Sequence, residues 1–421
     1  VNATRNKTSV MKLREIVGWS LLLSLLLLAV HILPINNSMI NLSTDDYNPE
    51  KNWLSSAYLE YVVGLHESGD PTFAKRPLTT KLILVVSENS PFSVAESFVL
   101  VQWVLLVLCG IALGLLANHL FHNRSATRIS ILAFYLSFSV LFLFFEPIYS
   151  YDEPLQYLLI FLAMLFFMQN KPLLFILSFA LACVARESSL FLLPGLFFIR
   201  HQVFKIQWKQ QWKTILSFLV VFGLYLVFRF YQAEALGLNS SAEKQDFMAR
   251  FIALKTNFGG FAPIQNSIMS MLVVMLPWFY LLWWNHKQQP EIFKQNRHFF
   301  IAFALAMLIN TPIVLLLTNA REVRLFFLPF LFLLPIAGTL LNIDFFSLFK
   351  KEILLKTFRD RKNLFILLGF TAFNFVFTML TFRFEYTTQK VNFFNEYLFL
   401  LVSLVWMHWF LSRKHRTNHQ D

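Results

Sequence analysis

Residues 98–117 read FVLVQWVLLVLCGIALGLLA, a run of twenty positions without a single charge. A stretch of about 20 apolar residues matches the ~30 Å hydrocarbon core of a bilayer. Lipid offers the backbone no hydrogen-bond partners, so a spanning segment must satisfy itself as a helix or a closed barrel. The run shows no strand-type alternation, which leaves the helix. Comparable blocks occur at Trp19–Leu33, Ile129–Phe145, Ile301–Leu317 and Leu325–Leu341. The whole composition agrees: 57% of residues are hydrophobic, 14% are charged, and the mean hydropathy is +0.55. Soluble globular chains rarely approach such values. The expected fold is therefore an all-α, polytopic transmembrane bundle.

Candidate spans are 16–34, 95–118, 129–146, 154–168, 172–185, 189–199, 214–230, 267–284, 298–318, 325–342, 363–381 and 393–411. Their number, about twelve (11–13), puts both termini on one side. Most of the 36 Lys and Arg then fall in short loops on that side, which marks it as cytoplasmic. The expected organisation is a cytoplasmic tail (1–15), one transmembrane domain (16–411) with an extracytoplasmic loop (35–94), and a second cytoplasmic tail (412–421). The location this implies is a bacterial inner membrane. The polar Val1–Val10 precedes Met11-Lys12-Leu13-Arg14, which has the look of a natural start. Stretch 172–199 admits two readings: one helix with Arg186-Glu187 at its centre, or two short ones meeting there. Two short helices are preferred, sheltered by other protein beside a cavity.

The net charge of +12 would suggest nucleic acid in a soluble protein, but here it reflects orienting loop residues, and no nucleic-acid partner is expected. Cys109 and Cys183 fall inside apolar helices and read as buried small residues. The sequence contains no G-x-x-x-x-G-K-[ST] or G-x-G-x-x-G fingerprint. Energy from ATP, or direct use of a nucleotide sugar, is thus unsupported.

The outer side holds the larger surface. In loop 35–94, Trp53, Leu54, Ala57, Tyr58, Tyr61, Val62 and Leu65 recur at helical spacing. This amphipathic helix either lies on the membrane surface or packs on the bundle. Charges collect at outer helix ends. Asp45 and Asp46 follow the first span, and Arg76 lies later in its loop. Glu146 ends the third span, and Asp152 and Glu153 open the fourth. Arg186 and Glu187 join the fifth and sixth, while Arg321, Glu322 and Arg324 join the ninth and tenth. Ionisable groups at membrane depth cost about 2.5–3.5 kcal/mol on insertion scales and usually face a partner or a wet cavity. Neighbouring Arg and Glu can also simply pair with each other.

A lipid-linked phosphate would call for arginine, whose planar fork grips two oxygens. Arg76, Arg186, Arg321 and Arg324 are available for that task, with Glu146, Asp152, Glu153, Glu187 and Glu322 beside them as further substrate-binding candidates. An acceptor hydroxyl would need a carboxylate to take its proton, and Asp45 or Asp46 is the candidate base. Ser43-Thr44-Asp45-Asp46 equally resembles a turn or helix cap. No cofactor is read from the sequence. Paired carboxylates leave room for a divalent metal, although no histidine or further carboxylate stands at ligand spacing.

The arrangement resembles the GT-C superfamily of integral membrane glycosyltransferases. The likeness lies in the long first outer loop with Asp45-Asp46, and in Asp152-Glu153-Pro154-Leu155 opening a helix that leads to Ala185-Arg186-Glu187-Ser188-Ser189-Leu190. Phe73-Ala74-Lys75-Arg76-Pro77-Leu78 and Arg321-Glu322-Val323-Arg324 are similar to segments of its uncharacterised members. The resemblance implies a polyprenyl-phosphate sugar as donor and a glycan or lipid as acceptor. It also implies Asp45 or Asp46 as base, outer arginines on the donor phosphate, and an inverting displacement. The sequence departs from the oligosaccharyltransferase and protein-mannosyltransferase branches in lacking their large soluble C-terminal domain, and it shows no clear Asp-Glu signature in the first loop.

Three other readings compete. A twelve-helix transporter of the major-facilitator type would show two similar halves and charges near mid-membrane; neither is evident. An outer-face oligosaccharide polymerase or ligase would carry its large outer loop late in the chain. A non-catalytic lipid-binding or assembly subunit is the third.

Overall fold

The computed structural model describes residues 10–33, 40–43, 54–67, 73, 75–141, 143–144, 151–200, 208–235, 248, 250–381 and 393–420. Among these residues the chain is all-α apart from one short parallel pairing, β1 (Ile40–Asn41) with β2 (Leu54–Ser55). The first half runs α1 (Leu13–Ile32), α2 (Ser56–Glu67), α3 (Pro77–Glu88), α4 (Val94–Phe121), α5 (Arg124–Tyr135) and α6 (Phe138–Leu141). It continues through α7 (Glu153–Met168), α8 (Pro172–Ala185), α9 (Leu193–Arg200) and α10 (Trp208–Ala235). Phe261–Gln288, Arg297–Leu317, Arg361–Phe375 and Phe394–Gln420 are the main helices of the second half.

Seven helices among the described residues are long and apolar enough to cross a membrane: α1, α4, α10, Phe261–Gln288, Arg297–Leu317, Arg361–Leu380 and Phe394–His415. The chain is a multi-pass integral membrane protein, but the expected count of about twelve is corrected. Two of the expected spans, α7 and α8, are apolar helices of 16 and 14 residues. At 1.5 Å per residue they measure about 24 and 21 Å, short of the hydrocarbon core. Segment 189–199 divides into a 3₁₀ stretch (Glu187–Leu192) and α9, and segment 129–146 breaks after Tyr135, with only the single turn α6 beyond it.

Segment 325–342 departs furthest from expectation. It forms successive 3₁₀ turns over Val323–Phe326, Leu328–Phe332 and Leu334–Ile336, and only then one α turn, Ala337–Leu340. Pro329 and Pro335 explain the break, because each lacks an N–H and its ring clashes with the preceding turn. Phe326, Phe330, Leu331, Phe332, Leu333 and Leu334 are all fully buried. The segment is apolar on every side because protein surrounds it.

Helix α4 is the axis of the first half. Ser93 accepts a hydrogen bond from the backbone of Glu96 and Glu96 bonds back to the backbone of Ser93, a reciprocal cap that fixes its start. Gly110 and Gly114 let α1 and α5 approach closely, as small residues four apart do between membrane helices. A Cβ at Gly114 would lie 2.6 Å from Ile16 Cγ2 and 2.9 Å from Ile131 Cδ1. Gly114→Leu is therefore expected to cost about 1–3 kcal/mol by overpacking. Thermal melting in mild detergent checks this, and an unchanged midpoint would contradict the close packing.

The first-loop amphipathic stretch forms α2, which packs on α4 and buries Tyr58, Leu59, Val62 and Val63. Tyr61, expected on the buried stripe, is exposed. Cys109 and Cys183 are free and buried.

Candidate functional site

Helices α7 and α8 form a hairpin whose open end gathers the predicted charges. Pro154 stands in the first turn of α7, where its missing N–H costs nothing. This places Asp152 and Glu153 at the helix mouth. Helix α8 ends at Ala185, and Arg186 turns into an extended conformation before the 3₁₀ stretch. Gln156 pins that turn, donating from Nε2 to Ser188 Oγ at 3.0 Å and Ser189 Oγ at 2.9 Å. Ser189 Oγ in turn donates to the Ala182 carbonyl at 2.9 Å. Arg76 is the residue immediately before Pro77, which starts α3.

Arg324 comes from the far half of the chain. Its loop is tied down by Asn257, which is fully buried and donates to the carbonyls of Leu315 (3.0 Å) and Thr318 (2.7 Å). The Ala320 N–H donates back to Asn257 Oδ1 at 3.0 Å. Asn310 holds the next turn through the Leu325 carbonyl at 2.9 Å.

These elements bring the ions into contact. Arg76 donates Nε–H to Glu187 Oε2 at 3.0 Å and Nη2–H to Oε1 at 2.7 Å, a two-pronged pair. Its Nη1 lies 3.9 Å from Asp152 Oδ2. Arg186 donates to Glu153 Oε1, and Arg324 Nε stands 3.5 Å from the same oxygen. Arg324 also donates to Glu322 at 3.1 Å. The group borders a cavity of about 110 Å³ whose wall includes Arg76, Glu153, Arg186, Glu187, Arg250 and Arg324.

The carboxylates differ in electrostatic state. Burial alone would raise the Glu187 carboxyl, but the charge and hydrogen bonds of Arg76 outweigh it and hold the group well below the ordinary range. Burial likewise opposes the Arg76 charge; Glu187 first, then Asp152 and Glu153, keep the guanidinium firmly protonated. Asp152 behaves in the opposite way. It is fully buried, and neither oxygen has a hydrogen-bond partner among the described residues. Burial pushes it up, Arg76 offsets only part of that, and Glu153 adds to it, leaving a value of about 7.

Of the predicted residues, Arg76, Glu153, Arg186, Glu187 and Arg324 share the cavity wall. Asp152 stands behind Arg76, and Glu322 reaches the group through Arg324. Arg321 is off the wall, and its carbonyl accepts from Ser270 Oγ at 3.1 Å. Asp45, Asp46 and Glu146 lie outside the described residues. Gln156, Tyr157, Ser188, Arg250 and Asn310 were not anticipated on the wall. A lone amide in an apolar run, as at Gln156 and Asn310, was the available signal, since such a group seeks a partner at membrane depth. Among the described residues no group of three or more His, Cys, Asp or Glu is placed to hold a metal ion.

No protein-family model, curated protein or solved structure matches the chain. The likeness to GT-C enzymes rests on the sequence motifs.

Proposed function

We propose that the chain is a membrane glycosyltransferase, moving a sugar from a polyprenyl-phosphate donor to a glycan or lipid acceptor outside the cytoplasm. The observation that carries this reading is that Arg76, Arg186 and Arg324, from three distant segments, stand on the wall of one cavity. Guanidinium forks match phosphate geometry and stay charged when sheltered. The donor phosphate would lie against them with its chain in the lipid. The acceptor oxygen attacks the anomeric carbon, the phosphate leaves with the bonding electron pair, and a carboxylate takes the acceptor's proton.

Glu153 and Glu187 are poor bases because guanidinium groups hold them, and Asp152 is enclosed behind Arg76. The base is therefore assigned to Asp45 or Asp46, as the family resemblance implies. A transporter is less favoured, since these charges gather at one end of the α7–α8 hairpin and not at its middle.

In proteoliposomes with radiolabelled polyprenyl-phosphate sugars and an extracted glycan-lipid acceptor fraction, the protein is expected to transfer label. Asp45→Asn/Asp46→Asn should lower transfer on the order of 10²-fold or more while leaving donor binding intact. Wild-type transfer in that variant would overturn the base assignment. If the protein neither binds nor uses any donor, the transferase reading falls.

A further inference from the structure

The other end of the α7–α8 hairpin carries a second pocket with different chemistry. Its volume is about 340 Å³, and its rim holds Lys171 from the hairpin turn, Arg200 from the end of α9 and Lys213 from the start of α10. All three are exposed, and among the described residues no acidic side chain lines the pocket. Among the described residues none of the three makes an ion pair. Arg200 leans over the Phe167 ring at 5.7 Å and donates to Asn170 Oδ1, which holds it at the mouth. Asn170 adopts the left-handed conformation, φ 59°, that lets the hairpin turn this tightly.

Below the rim, Phe167 and Phe175 form a buried aromatic floor with ring centroids 5.1 Å apart. Thr214 and Ser217 add hydroxyl groups to the wall. Outside it, α8 exposes Leu173 and Leu177, and α10 exposes Leu216 and Leu219. Helix α7 separates this pocket from the arginine–carboxylate cavity by about 24 Å. That distance keeps the two polar ends apart as separate sites.

We propose that this pocket binds the phosphate headgroup of an anionic phospholipid, with the acyl chains running down the leucines of α8 and α10. Three cations from three elements surround one mouth, with no carboxylate among the described residues to neutralise them, as lipid-phosphate pockets between membrane helices require. The exposed leucines supply what a free phosphate ion would not use. The proposal is independent of the transferase reading, because it concerns other residues at the other end of the hairpin.

The test is a melting titration of the full chain in neutral detergent, with phosphatidylglycerol, phosphatidylcholine or inorganic phosphate added. Phosphatidylglycerol is expected to raise the melting temperature saturably, and the other two are not. Arg200→Gln/Lys213→Gln changes only exposed side chains, so it should melt normally without lipid. It should need roughly tenfold more phosphatidylglycerol for half the shift. A wild-type lipid response in this variant overturns the proposal. So does an equal response to phosphatidylcholine, and so does a full response to inorganic phosphate, which would make the pocket a free-anion site.

Discussion

Glu153→Ala is expected to destabilise the protein by about 3–5 kcal/mol, the usual result of removing one partner from a buried ion pair. Glu153 is 3% exposed and faces two guanidinium groups, those of Arg186 and Arg324. Alanine would strand Arg186 and take one carboxylate from Arg324, which keeps Glu322. Neither cation can shed its proton, because guanidinium stays charged in proteins. Their remaining route is to drag water or the hairpin mouth apart. Restoring apolar balance with Glu153→Ala/Arg186→Met should recover part of the loss, since a charge is removed along with its partner. Thermal melting in mild detergent measures both variants. A fall below about 1 kcal/mol for the single variant would place the network in solvent-like surroundings.

As pH rises from about 4 to 8, the native chain should lose stability relative to an Asp152→Asn variant. The folded value of Asp152, about 7, lies above the unfolded value of 3.8. A group raised on folding holds more protons in the folded state, so its stabilising contribution is complete below the unfolded value. That contribution is lost as pH climbs through the folded one. The cause is the burial of both oxygens with no hydrogen-bond partner among the described residues, which Arg76 at 3.9 Å only partly compensates. Asp152→Asn keeps the shape and removes this titration, so the difference between the two melting profiles isolates it. Parallel melting profiles for the native chain and Asp152→Asn across this window would contradict this electrostatic picture.

The membrane class was legible because one-letter hydropathy records exactly what lipid selects for. Long runs such as 98–117 became long helices. The same signal misled at 325–342, since an apolar run surrounded by protein looks like one surrounded by lipid. Its two prolines were the visible warning, and the structure breaks into 3₁₀ turns around them. The meeting of Arg186-Glu187 with Asp152-Glu153 was foreshadowed by short connections carrying charge where apolar residues should be. The partners were not. That Arg76 would grip Glu187, 111 residues away, follows from how α3 packs beside α8, and no local pattern encodes that contact. Asn257, which ties down the loop bearing Arg324, reads in sequence as an ordinary loop amide. Its role depends on carbonyls that only folding brings near.

The cavity's proposed work is phosphate binding, and equilibrium binding of labelled polyprenyl-phosphate sugars to the purified chain examines it most directly. Native protein should bind at least one such donor saturably. Arg324→Gln should weaken that binding roughly tenfold or more, as loss of a charged hydrogen-bond partner costs about 1.5–3 kcal/mol. Lys213→Gln, at the opposite end of the hairpin, should bind as the native chain does. Equal affinity for the donor in native and Arg324→Gln protein would show that the cavity is not where the phosphate rests.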